Sequence, residues 1–280
     1  MLNTSWPILL VDDEPDVLQL SKLVMRDFTV YGLPVELHVA ASKADAIELM
    51  KTELIPVLPS VPAPRVSVAF IDVVMETDTA GLELCEYIRE TMGNKVVQLF
   101  IRTGQPGVAP ERDVIDHYDI NGYFTKAEAT EDKLYSLVKT GVRQYLSFTA
   151  AMAMSMMTAV AINAAGSRRS LQGVLQAMPM LRRDGHYLLL DGEGIAGGLD
   201  EAEARGLADR LVRLEGQSFG GGTFTSDGDR NILFSIEGND NKASVQHVIK
   251  GDWNFTPPDT VKVLLLNGLS SVASLWKQAS

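Results

Sequence analysis

The run Val68-Ala69-Phe70-Ile71-Asp72-Val73-Val74 is apolar apart from one carboxylate near its end. A stretch this short and this apolar suits a strand buried on both faces of a parallel sheet. A carboxylate at the carboxyl end of such a strand faces the crevice where open α/β sheets bind ligands. Alone, the Asp also has an ordinary reading, because Asp turns the chain at strand ends.

Upstream, Ile8-Leu9-Leu10-Val11 is a second apolar strand, ending in Asp12-Asp13-Glu14. Pro15 opens a helix over about 16–27, as Pro is tolerated at the first helical position, and Val17, Leu20, Val24 and Phe28 recur at helical spacing. Residues 35–40 read as a strand, and Ser42-Lys43-Ala44-Asp45 starts a helix carrying Ala46, Leu49 and Met50. Four prolines in 55–65 mark an extended loop. Downstream, 81–92 is helical, with Leu82, Leu84, Cys85 and Ile88 apolar. Residues 96–101 form a strand ending in Arg102-Thr103-Gly104, and Pro110 starts a helix to about Tyr118. Gly122-Tyr123-Phe124-Thr125 is a strand ending in Lys126, and a last helix begins near Thr130. Five strands alternating with five helices predict a doubly wound parallel sheet.

The polar residues then gather on one edge. Asp12, Asp13, Asp72, Thr103 and Lys126 all follow strands, and parallel strands end on the same side. Three carboxylates brought together repel unless a cation sits among them, and hard oxygen ligands with open positions suit Mg²⁺. With a hydroxyl and an ammonium nearby, Asp72 is equipped to accept a phosphoryl group as nucleophile. Singly, each residue has an ordinary role: helix cap, turn former, surface charge, half-buried aromatic. Those roles do not explain why all of them meet on one edge.

On these residues the first half resembles a response-regulator receiver domain, a flavodoxin-like sheet of order 2-1-3-4-5. The resemblance implies that Asp72 is the phosphoacceptor. It implies Mg²⁺ held directly by Asp13 and Asp72, through water by Asp12, and by the backbone carbonyl of Val74. Thr103 would hydrogen-bond the phosphoryl oxygen, Lys126 would pair with it, and Tyr123 would be the aromatic that swings inward with Thr103. Two departures concern loops. Ala127 stands where receivers usually carry Pro, and Val73-Val74-Met75-Glu76 lacks a Pro common after Asp-x-x-Met. Glu76-Thr77-Asp78-Thr79-Ala80-Gly81-Leu82, Arg102-Thr103-Gly104-Gln105-Pro106-Gly107, Ala109-Pro110-Glu111-Arg112 and Tyr118-Asp119-Ile120-Asn121 are similar to one receiver subgroup. In that subgroup a domain of unknown function follows, often ahead of HD-GYP phosphodiesterase or other cyclic-di-GMP output domains.

The second half is read from pattern alone. No charge occurs from Gln144 to Ser167. The stretch is long enough to cross a bilayer, but its Ser, Thr and Asn residues and basic flanks on both sides argue against a span. A long helix continuing from Thr130 is expected instead. Leu134, Val138, Gly141, Tyr145, Phe148, Met152, Ser155, Ala159 and Ile162 lie on one 3.5-residue seam. That seam serves either a homodimer or burial within one chain. Beyond it come a helix over 171–181, a strand over 187–190, and a helix over 200–214 with Asp200 and Glu203 in capping-box positions. A hairpin follows, 223–226 and 231–236 around Asp227-Gly228, then a strand at 245–249 and a final helix from Pro257-Pro258-Asp259 to Trp276. Helix, antiparallel sheet and terminal helix suggest a small GAF-like α+β domain. The expected division is receiver 1–130, connecting or dimerisation helix 131–180, and output or sensor domain 181–280.

Composition narrows the function. The chain is 46% hydrophobic and 22% charged, as in a soluble globular protein, with a net charge of −11. Residues 181–280 hold 10 basic and 14 acidic side chains, a balance of −4, which disfavours a nucleic-acid partner. The single cysteine, Cys85, fits a reducing compartment and is expected to be a packed thiol. The first residues lack the charged and apolar regions of a signal peptide, so a cytoplasmic protein is expected. His38, His117, His186 and His247 show no metal spacing, no Gly-Gly-Asp/Glu-Glu-Phe motif is present, and Gly220-Gly221-Gly222 reads as a turn. The expectation is therefore a non-enzymatic response regulator. A histidine kinase or phosphotransfer protein would phosphorylate it, and an enzyme regulated in trans is a further candidate partner. The alternative is a small-molecule sensor with a vestigial receiver.

Overall fold

The structure, a computed structural model, describes residues 5–52, 54, 66–104, 111–178, 184–228, 231–240, 243–251 and 256–279. The expectations for 55–65, for Gln105 through Pro110 and for a helix reaching Leu181 lie outside these residues. The chain divides into two compact units, Met1–Thr149 and Ala150–Ser280.

In the first unit, β1 (Trp6–Val11), β3 (Leu33–Ala40), β4 (Val68–Ile71), β5 (Gln98–Thr103) and β6 (Gly122–Thr125) run parallel, in the order β3-β1-β4-β5-β6. This is the 2-1-3-4-5 order of the receiver fold. A short strand missed in the sequence, β2 (Thr29–Val30), adds to the edge by pairing antiparallel with β3. Residues Val68 to Ile71 are buried on both faces. One face packs against α2 (Lys43–Thr52), α3 (Ala80–Glu86) and α4 (Glu111–Tyr118) through Leu9, Val11, Ala69, Ile71, Leu99 and Ile101. The helix expected over 81–92 changes pitch, and Tyr87–Thr91 is a π-helical turn. Cys85 lies in this core, where burial pushes its thiol up to about 12.

The other face carries α1 (Pro15–Met25) and the start of α5 (Glu131–Ala164). Phe70 stacks on Phe100 at 5.6 Å and meets Phe124 edge-on at 6.0 Å. Such pairs contribute about 1 kcal/mol each beyond their buried area. Gly141 lets α5 approach closely, since a Cβ there would lie 2.6 Å from Val68 Cγ2. The predicted seam therefore splits. Leu134, Val138 and Tyr145 are buried in the receiver core, whereas Phe148 is 54% and Ile162 58% exposed. By length and composition α5 could also cross a membrane.

The second unit is an antiparallel sheet of order β8-β7-β12-β11-β10-β9. Its strands are β7 (His186–Leu190), β8 (Glu193–Gly197), β9 (Gln217–Phe219), β10 (Gly222–Ser226), β11 (Ile232–Ile236) and β12 (Val245–Ile249). One face is covered by α7 (Glu201–Leu211) through Ala204, Leu207 and Leu211. The other packs on the end of α5, α6 (Arg168–Ala177) and α8 (Asp259–Gln278). The hairpin around Asp227-Gly228 pairs as expected. The capping box on α7 is only half made. Asp200 accepts from the Glu203 N–H, but the Glu203 carboxylate binds Lys250 instead.

Candidate phosphoryl-acceptor site

Period-two alternation builds the site. Leu10, Phe70 and Phe100 fill the face under α1 and α5, and two residues on come Asp12, Asp72 and Arg102. Backbone bonds fix the edge: the Asp12 N–H donates to Ala40 O at 3.1 Å, and the Asp72 N–H to Val11 O at 2.9 Å. Oδ1 of Asp12 accepts from the Glu14 N–H at 3.0 Å, so Asp12 also shapes the turn into α1. The helix-cap role considered for Asp12 is not made, because α1 has its N-cap at Glu14 without a side-chain cap bond; the Asp12 bond belongs to the turn before it. α3 starts directly against the Asp72 loop. The Gly81 N–H donates to Val73 O at 3.0 Å, and a Cβ on Gly81 would sit 1.7 Å from the Asp72 carbonyl oxygen.

Asp12 and Asp72 are buried and Asp13 is exposed, yet one carboxylate oxygen from each lies within 4.8 Å of the others. Lys126 Nζ reaches Asp12 Oδ2 at 2.9 Å, Asp72 Oδ2 at 2.7 Å and Glu14 Oε1 at 2.6 Å. Burial works against the ammonium, but these bonds outweigh it and raise its pKa. For Asp72 the balance tips the other way. Burial, aided by the Asp12 charge, raises its pKa despite the pull of Lys126. The two shifts look contradictory for one ion pair. They agree once Lys126 is seen to serve three carboxylates while Asp72 has one ammonium and a buried setting. Oδ1 of Asp72 has no hydrogen-bond partner among the described residues. A carboxylate oxygen buried and unpaired beside two further carboxylates fits a hard divalent cation.

Thr103 is buried at the end of β5, opposite Thr125 of β6, and Tyr123 is half-buried on the same side of the sheet. Val74 is half-buried just beyond Asp72. After Lys126 the chain makes a short 3₁₀ turn, Lys126–Glu128. Thr125 and Glu128 close it with reciprocal side-chain to backbone bonds, and no cis peptide bond occurs among the described residues. Sequence reading missed two neighbours of the cluster, Glu14 and Arg102. Their signal was present: each falls at the carboxyl end of a strand that also carries an expected site residue.

Away from this cluster, two histidines that showed no spacing signal come together. His186 Nδ1 and His247 Nε2 lie 3.2 Å apart, both buried in the second unit.

In fold and strand-end constellation the N-terminal unit resembles a response-regulator receiver domain. No family model matches the chain. A 140-residue stretch, half of the chain, is 39% identical to the 3'3'-cGAMP-specific phosphodiesterase 2 of Vibrio cholerae. That stretch spans 25% of the relative's length. Solved structures that match include the receiver domain of an HD domain-containing protein from Pseudomonas fluorescens Pf-5, at 18% identity and a TM-score of 0.41. It covers 50% of this chain and 97% of that one. A Vibrio cholerae chemotaxis protein matches at 20% identity and a TM-score of 0.37, over 49% of this chain and 98% of that one. The phosphodiesterase relative corrects the expectation of a receiver with no enzymatic output, because the relative is itself an enzyme. The sequence lacks short catalytic motifs, which says nothing of association with an enzyme.

Proposed function

We propose that the protein is a response regulator in which phosphorylation of Asp72 controls the hydrolysis of a cyclic dinucleotide. The observation that carries the first part is the convergence of Asp12, Asp13 and Asp72 with Lys126 around a buried, unpaired Asp72 oxygen. An Asp72 oxygen attacks the phosphorus of a phosphohistidine on a histidine kinase or phosphotransfer protein. The N–P bond breaks as the O–P bond forms, and the imidazole leaving group takes up a proton. Asp13, Asp72, the Val74 carbonyl and, through water, Asp12 would hold Mg²⁺, which would supply charge compensation for the transferring oxygens. Lys126 exchanges part of its carboxylate set for the phosphoryl oxygens. Thr103 donates its hydroxyl to the phosphoryl group, and Tyr123 follows it inward.

The second part rests on the likeness to the Vibrio cholerae enzyme, whose name gives 3'3'-cGAMP as substrate. The matched stretch is a quarter of that relative's length, which favours an output in cis over an enzyme regulated in trans. The protein works in the cytoplasm and pairs with a second copy through the exposed stripe Phe148, Ser155, Ala159 and Ile162 on the second half of α5. Turnover of 3'3'-cGAMP, measured with Mg²⁺ and with or without beryllofluoride, tests the coupling. A change in turnover that Asp72→Asn abolishes is expected. No turnover, or turnover indifferent to beryllofluoride, would refute it.

A further inference from the structure

A buried arginine stands level with the phosphoacceptor. Val11 pairs with Ile71 and Ile71 with Ile101, so Asp12 and Asp72, the residues just past β1 and β4, come level with Arg102 of β5. Partners in a parallel ladder point to the same face. Arg102 therefore shares the α1 side of the sheet with both carboxylates, and its own partner on β6 is the core residue Phe124. Its Nη1 donates to Ser21 Oγ of α1 at 2.8 Å, and its Nε has no hydrogen-bond partner among the described residues. Burial lowers the guanidinium pKa, while Asp12, Asp72 and Glu14 oppose that shift. A strand position covered by a helix normally takes an aliphatic side chain. A guanidinium there is tolerable only because carboxylates face it.

The charges show what it does. Asp12, Asp13, Glu14 and Asp72 confront two cations, Lys126 and Arg102, and Lys126 is already bound to three of the four. We infer that Arg102 is a positioning residue for phosphoryl acceptance: its permanent charge, level with Asp72, holds the acidic cluster together and offsets the charge a phosphoryl group adds. This rests on the proposed role of Asp72. It acts through the field at Asp72, tied to α1 by Ser21, and sits one residue before Thr103 on the same strand.

Two consequences of opposite sign follow. Without the Arg102 charge the cluster is more negative, so a divalent cation binds more tightly. The phosphorylated state, which carries about one more negative charge than the carboxylate, becomes harder to reach. A purely structural loss would weaken both.

The test compares Arg102→Gln and Arg102→Lys with the unaltered chain. Calorimetric titration with Mg²⁺ alone gives the metal Kd, and the initial rate of phosphoryl uptake from acetyl phosphate at saturating Mg²⁺ gives acceptance. In Arg102→Gln the Mg²⁺ Kd should fall about five-fold and uptake should slow about ten-fold, with Arg102→Lys restoring both. Both quantities weakened together, both unchanged, or a lysine variant that behaves like the glutamine one would overturn the assignment. No uptake by the unaltered chain would instead defeat the reading of Asp72, and the Mg²⁺ titration would still judge Arg102 on its own.

Discussion

Lys126 Nζ lies 2.7 Å from Oδ2 of Asp72, held there from β6 across the intervening strand β5. The same ammonium serves Asp12 and Glu14. Asp72 is thus under-compensated: burial raises its pKa even with Lys126 in contact. Function at this edge is set against stability. Replacing Asp72 by Asn removes a buried charge and leaves Lys126 to Asp12 and Glu14. The variant should be more stable by about 1 kcal/mol at neutral pH and without divalent ions. Urea unfolding checks this, and a loss of stability would contradict it.

Gly81 sets the position of the Asp72 loop. With a Cβ due 1.7 Å from the Asp72 carbonyl oxygen, Gly81→Ala forces α3 and the loop apart. The expected cost is about 2–3 kcal/mol, with loss of phosphoryl acceptance. Denaturant midpoint and uptake from acetyl phosphate read the two effects, and a variant normal in both would show that the loop yields freely.

The second unit should be acid-labile. Burial lowers the His247 pKa from 6.5 to about 4. A depressed pKa means that the unfolded chain takes up the proton first. The contribution is intact above pH 6.5 and is lost as pH falls toward 4, by roughly 3 kcal/mol across that window. His247→Gln, which can still bond His186 but does not titrate, should flatten the profile in denaturant titrations at pH 7 and pH 5. A variant with the same slope as the unaltered chain would place the proton elsewhere.

The exposed stripe on the second half of α5 should mediate self-association. Ile162→Glu places a charge on the apolar stripe without disturbing the core, since Ile162 is 58% exposed. Sedimentation should show a dimer converted toward monomer by this change. A chain already monomeric before substitution would contradict the dimer.

Much of this architecture is legible in the residues. Val68–Val74 is apolar enough to be a doubly covered strand, and the alternation of strands and helices dictates where its Asp emerges. Other features are not. The 3.5-residue seam of α5 is real, but periodicity does not say what covers a seam, and Leu134 to Tyr145 went to the receiver core while Phe148 to Ile162 did not. β8 was missed because Glu193–Gly197 is rich in glycine, although Asp191-Gly192, both at positive φ, marks the tight turn before it. His186 and His247 are 61 residues apart and meet only through the pairing of β7 with β12. Arg102 was read as a strand-end polar residue. Placing it beside Asp72 required the register of β4 with β5.

Phosphoryl acceptance by Asp72 is the first step of the proposed switch. Intact-mass spectrometry of the chain after incubation with Mg²⁺ and acetyl phosphate measures it directly. One phosphoryl group should be gained, and the gain should vanish on chelation of the metal and in Asp72→Asn. No gain in the unaltered chain, or the same gain in Asp72→Asn, would contradict it.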